Sequence, residues 1–311
     1  MRPMPRLGRL DRAIPKARFF PVNHSPYSVW KTLGTFGTLR AARYRLAPPR
    51  SSLTGEALML IEGRRSIEIG GPSATFLATG VLPIYPAMRT IDNVNFASET
   101  LWEGALEDGA PYLPMGSPTG VQLLREATDL RDIPDEAYDV VLSSHVLEHI
   151  ANPLRALREW RRVCRESGIL CLIVPHRDGS FDRRRPVTSI DHLRGDAVAE
   201  VDEGDDTHFE EVIRLHDLHR DRPAGSLGDF KARVADNRRV RSVHHHVFDV
   251  NITLAAIIET GWMPIAAEAR RPFHIIVLAQ KSSNLPTDFD PRSIVRGSPF
   301  RSDRASALGA R

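Results

Sequence analysis

Apolar positions along this chain fall into runs of two kinds. Short, nearly continuous runs occupy 67–69, 138–142, 169–174, 265–269 and 273–280. Strand-length runs without a polar alternation are what a parallel sheet covered on both faces requires. Two longer stretches, 154–163 and 252–260, space their apolar residues three and four apart, as amphipathic helices do. Asn152-Pro153 supplies a start for the first helix, while Gly168 stops it and Gly261 stops the second. Strand, turn and helix follow one another on a regular beat. That order predicts an α/β domain with a doubly wound, mostly parallel sheet and ligands at the strands' carboxyl ends.

The sequence Ile67-Glu68-Ile69-Gly70-Gly71-Pro72-Ser73-Ala74-Thr75 reads as a buried strand, a tight glycine turn and a helix start. Proline suits the first helical position because its missing N–H would be orphaned there. Free N–H groups at such a helix start would hold an anion. The G-x-G-x-x-G dinucleotide fingerprint fails at Pro72 and Thr75, which argues against a nicotinamide-dependent oxidoreductase. A second run, 88–92, closes on Asp92, 24 residues after Glu68. A carboxylate there would grip ribose hydroxyls in a nucleotide-binding sheet. A third strand end is expected at 126–130, with Asp129 as a possible acceptor for an amino group.

Glu68-x-Gly70-x-Pro72-x-Ala74 aligns with an acidic-x-Gly-x-Gly-x-Gly pattern. The stretch 138–176 carries the cadence D-V-V, S, V-L-E-H, N-P, L-R-E, R-V, G-I-L. Together they resemble class I S-adenosylmethionine-dependent methyltransferases of the type 11 kind, over about 65–176 with a return at 252–281. The resemblance implies a Rossmann-like sheet whose last two strands form an antiparallel hairpin, and S-adenosyl-L-methionine as cofactor. It implies that Glu68, Gly70 and Gly71 line the methionine end, Asp92 the ribose, Asp129 and Leu130 the adenine, with Ser144 beside the methyl donor. Pro72 departs from the family pattern, since it removes a donor and fixes φ. A non-catalytic module binding a metabolite or glycan precursor is therefore the alternative reading.

Residues 177–249 break the α/β beat and predict a helical insertion after the fifth strand, placed to act as a lid. Eight of the chain's twelve histidines lie between His176 and His246. Imidazole titrates near neutrality, so His149, His176 and His192, in that order, are candidate bases for a hydroxyl acceptor. Arg184 and Arg185 are candidate clamps for an anionic acceptor group. No histidine spacing matches a metal-binding motif, so no metal is expected.

Composition adds a charge asymmetry. Residues 1–50 hold eleven Lys or Arg and one acid, a net +10, whereas the whole chain carries +3. The remainder is therefore −7. The domain plan is a basic arm over 1–55, the α/β domain over 56–281 and a disordered tail over 282–311. The arm's aromatic residues, Trp30 and Phe36 among them, predict that it packs on the acidic body, with weak membrane contact at most and no nucleic-acid partner. Two cysteines, no secretory pattern and no membrane-length apolar run point to the cytoplasm. The polar, His- and Arg-rich insertion points to a small polar or glycan acceptor, such as a sugar or cell-envelope intermediate, methylated at oxygen. Oligomeric state is left open by the sequence.

Overall fold

The computed structural model describes residues 50–116, 119–283 and 289–303. Trp30, Phe36 and nearly all of the basic arm lie outside the described residues. Helix α1 (Thr54–Ile61) precedes strands β1 (Arg65–Ile69), β2 (Thr90–Asn95), β3 (Glu99–Thr100), β4 (Gly104–Ala105), β5 (Pro111–Tyr112), β6 (Gly120–Leu124) and β7 (Tyr138–Ser144). Helix α2 (Pro153–Val163) leads into β8 (Cys164–Pro175). The insertion holds α3 (Ile190–Val198), α4 (Phe209–Leu215), α5 (Leu227–Ala235) and α6 (Asn237–Val240). Helix α7 (Val250–Glu259), β9 (Trp262–Arg270) and β10 (His274–Lys281) follow.

Eight strands form one sheet in the order β5-β6-β2-β1-β7-β8-β10-β9. Strands β6, β2, β1, β7 and β8 are parallel, and β10 runs antiparallel between β8 and β9. The winding reverses at β1 and β7, which makes their carboxyl ends the topological switch point. The period-2 alternation of strand side chains feeds two cores. Leu170, Leu172 and Val174 of β8 join α2 and α7 on one face. Ile169, Cys171 and Ile173 join α1 on the other. Both faces are covered, so the strands read as continuous apolar runs.

Helix α2 forms where its pattern predicts. The Asn152 side chain accepts from Arg155 N at 3.1 Å, and Pro153 takes the first helical position. Leu154, Leu157 and Trp160 are fully buried, each contributing about 1.5–3 kcal/mol of apolar burial. The helix ends at Val163, without needing Gly168, because β8 begins at once.

Four local expectations are corrected. No helix follows β1: residues 70–84 form irregular turns up to a short 3-10 segment, Tyr85–Ala87. The side chains of Asn93 and Asn95 hydrogen-bond the Gly71 backbone at 2.9–3.0 Å, and Ser73 N donates to the Tyr85 hydroxyl at 2.7 Å. With these groups satisfied by side chains, and Phe76, Leu82 and Ile84 buried against the sheet, the segment has no need of a helical ladder. Strand β2 runs three residues past Asp92, which therefore lies mid-strand opposite Ile67. The third strand ends at Leu124, and 126–130 is a loop. In the tail, 289–303 is not free: Arg296 N donates to Ala267 O at 2.8 Å, and Phe300 is buried in the core.

The insertion carries four short helices joined by turns and irregular stretches that make up more than half of it, so the expected helical insertion is only partly helical. Helix α3 packs against α2 and α7, while Val212, Phe230, Val234 and Val243 form a small core around α4 and α5.

Candidate active site

A cavity of about 860 Å³ opens at the carboxyl ends of β1, β2, β6 and β7. Its floor holds Gly70 and Ser144, and Thr75 Oγ1 donates to Ser144 Oγ at 2.8 Å. Gly70 adopts φ +79°, and a Cβ there would meet Val146 at 2.3 Å, so only glycine turns the chain this way. The β3–β4 hairpin contributes Thr100, Trp102 and Glu103 to one wall, and the loop after β6 contributes Ala127 and Thr128. The insertion closes the opposite side with Phe181, Arg241 and His244.

Glu68 and Gly71 do not line this cavity. Glu68 is fully buried and accepts from the hydroxyls of Tyr85 at 2.7 Å and Tyr112 at 2.6 Å. Its burial raises the carboxyl pKa above the ordinary value, against the lowering by those hydroxyls. Gly71 lies over it, where a Cβ would come within 2.3 Å of the Glu68 carboxylate. Asp92 is also absent from the lining. It accepts from Tyr138 Oη at 2.9 Å, Arg65 at 3.2 Å and Val121 N at 3.0 Å, stapling four strands together. Asp129 faces Arg131 outside the cavity, and Leu130 is buried in the core. Carboxylates that do line the cavity near β2 and β6 include Glu103 and Glu126, and the pKa of Glu103 is raised by burial and by Glu68.

On the insertion side, His149 lines the cavity, but His176 and His192 do not. His176 is buried, stacked on Phe300 with centroids 4.0 Å apart and 3.1 Å from the Asp303 carboxylate. It holds the C-terminal segment. His192 stands on α3, 3.3 Å from Asp196. His149 Nδ1 lies 3.1 Å from the Val243 carbonyl, and burial with the adjacent His244 pushes its pKa down to about 3. Arg185 is buried and bonds Asp182, Glu211 and the carbonyls of His244 and His245, while Arg184 reaches only toward Asp217. Neither arginine lines the cavity, whereas Arg220, Arg233 and Arg241 do.

The sequence reading missed Asp182, His244 and Glu148. His244 Nδ1 meets Asp182 Oδ2 at 2.5 Å, and its Nε2 lies 4.0 Å from Glu148 Oε1. Asp182 is held down to about 2: burial alone would raise it, but His244 and Arg185 outweigh that. His244 is raised, because Asp182 and then Glu148 overcome the burial penalty. Glu148 is held low by His145, His149 and His244 against its own burial. A charged residue inside the apolar turn Val146-Leu147-Glu148 was a readable signal. The Asp182–His244 pairing, 62 residues apart, was not.

Residues 113–172 match a family described as the methyltransferase domain. No curated protein matches the chain. Similar solved structures include a putative S-adenosylmethionine-dependent methyltransferase from Listeria monocytogenes, 16% identical, covering 74% of this chain and 97% of its own, at TM-score 0.41. Another from Aquifex aeolicus is 12% identical over 83% of this chain and all of its own, at TM-score 0.40. A putative methyltransferase from Haloferax volcanii, solved with the Trm112 methyltransferase activator, is 12% identical over 80% and 96%, at TM-score 0.41. The matched segment runs from just after β5 through most of β8, within a doubly wound, mostly parallel sheet of the Rossmann-like kind.

Proposed function

We propose that the protein transfers a methyl group from S-adenosylmethionine to an oxygen of a small polar acceptor, bound between the switch point and the insertion. The observation that supports this most directly is the Asp182–His244 pair at the edge of a cavity floored by Gly70 and Ser144. The cofactor, when bound, supplies an electrophilic methyl carbon. What the chain must add is alignment of the hydroxyl and a place for its proton. His244 serves as that place: Asp182 fixes Nδ1 as the donor, which leaves Nε2 as acceptor and stabilises the imidazolium formed. His149, too weak a base at about 3, packs edge-on against His244 with centroids 4.5 Å apart and orients it. Glu103 takes the ribose position that the sequence assigns to Asp92. Arg233 and Arg241 of the insertion wall, paired with Asp221, Glu126 and Glu203, give the acceptor pocket a polar side suited to a polar or glycan substrate.

Calorimetric titration with S-adenosylhomocysteine tests the reading. Wild type and Asp92→Asn should bind alike, while Glu103→Gln should bind roughly 10- to 100-fold more weakly, the equivalent of about 1.5–3 kcal/mol for a charged hydrogen bond. With an acceptor found by screening hydroxyl compounds for S-adenosylhomocysteine release, His244→Asn should lower kcat by about 10²–10⁴ and leave cofactor affinity unchanged. Absence of cofactor binding by wild type would replace this reading with the non-catalytic module, which the irregular 70–84 segment favours.

A further inference from the structure

His192, Asp196, His208 and His246 meet outside the cavity, and the reaction above uses none of them. We propose that they form a four-ligand site for a divalent transition metal of the zinc class. They come from three separate segments. His192 and Asp196 share a face of α3 at i and i+4, His208 is the N-cap residue of α4, and His246 lies in the irregular stretch that also presents His244. Each offers one donor atom, all within 4.8 Å of one another.

The spacing is that of a coordination shell. His192 Nε2 lies 3.3 Å from Asp196 Oδ2 and 3.3 Å from His208 Nε2, and His246 Nε2 lies 3.6 Å from Asp196 Oδ2. Bonds of about 2.0–2.1 Å to a tetrahedral ion set donor–donor edges of about 3.3–3.4 Å. Without an ion the group is poorly satisfied. Asp196 Oδ2 is buried with no hydrogen-bond partner, and the wholly buried His246 directs Nε2 toward it. Its Nε2 touches the Ala151 carbonyl at 3.0 Å, a contact that ligation would replace. A buried carboxylate oxygen left unmet is costly, so a cluster built around one calls for a cation.

Three imidazoles and one carboxylate suit zinc and its neighbours in preference to magnesium or calcium, which take oxygen shells. Asp205, whose Oδ2 lies 3.8 Å from His208 Nε2 and 3.7 Å from His245 Nδ1, adds a second negative charge beside the ion. Four protein ligands make a closed, structural site rather than one with a position left for substrate. The ion fastens α3, the start of α4 and the 244–246 stretch, so it fixes the backbone on which His244 stands. No sequence motif announces it, because its ligands converge only in the fold.

The test uses the full-length chain without a His tag, dialysed against chelator and titrated with zinc in competition with a chromophoric chelator. Wild type should bind one equivalent with sub-micromolar affinity, in the range of structural zinc sites. With cobalt it should show the intense visible absorption of a four-coordinate ion. His192→Ala and Asp196→Asn should weaken binding at least about 100-fold. Chelation should lower the Tm of wild type and leave that of the variants unmoved. His192 is half-exposed, so its variant keeps the fold and decides the matter even if Asp196→Asn does not. Failure of wild type to bind stoichiometrically, or a folded His192→Ala with wild-type affinity, overturns the site.

Discussion

At the scale of single residues, burial decides what each acidic side chain does. Glu68 looks like a cofactor ligand in the sequence because it ends a strand before two glycines. In the fold, Tyr85 and Tyr112 enclose it, and neither tyrosine is near it in sequence. Asp92 looks like a strand end because Asn93 and Asn95 read as loop, whereas both amides turn back to hold Gly71. Gly70, Ser144 and His149 line the cavity, since each sits at or just after a strand end that the apolar pattern marks. The buried Glu68 carries a pH signature. Its pKa is raised in the fold above the ordinary 4.5, so its neutral form is favoured by folding. That contribution is fully present below pH 4.5 and is lost as pH rises through the higher folded value. Glu68→Gln should lack this slope. The difference in Tm between wild type and variant, measured from pH 4 to 8, should grow in the variant's favour with rising pH, and a constant difference would show that Glu68 is ionised in the fold throughout.

At the scale of elements, the legible ones are those whose local signals and tertiary burial agree. Strands β7, β8 and β10 are apolar on both faces because both faces are covered, and α2 has both a cap and a stripe. Residues 70–84 carry a helix-start proline and no matching apolar stripe, so side-chain capture from β2 won. The tail fails the other way. Its Ser, Pro and Arg content resembles disorder, yet Val295 pairs with Ala267, and Phe300 stacks on His176. Phe300→Ala should cost roughly 3–5 kcal/mol, as removal of a buried aromatic does. Urea unfolding would show it as a lower midpoint at unchanged slope. A change under 1 kcal/mol would mean that the segment is only loosely seated.

At the scale of the whole molecule, the sheet and the insertion make one cavity, so the contacts across it govern access to the site. Arg241 is the principal bridge. It pairs with Glu126 on the loop after β6 at 2.8 Å and with Glu203 of the insertion at 2.8 Å, and its guanidinium lies 5.1 Å from the centre of the Phe96 ring. Burial lowers its pKa against the pull of Glu126, which marks how much solvent it gives up to stand there. Arg241→Met keeps most of the apolar stem and removes the charge, leaving two carboxylates without their partner. The insertion should then open more often without the rest of the domain unfolding, because α4 and α5 have their own small core. Limited proteolysis should cut within 177–249 several-fold faster in the variant, with cuts in β7 or β8 no more frequent. S-adenosylhomocysteine at 100 times its Kd should stabilise wild type by about 2.7 kcal/mol. The variant should need more ligand for the same protection, since part of the binding energy goes to closing the cavity. Equal cleavage of the two proteins, with and without ligand, would mean that the contacts of His245 N with the Glu148 carbonyl and of His246 with the Ala151 carbonyl, not Arg241, hold the insertion in place.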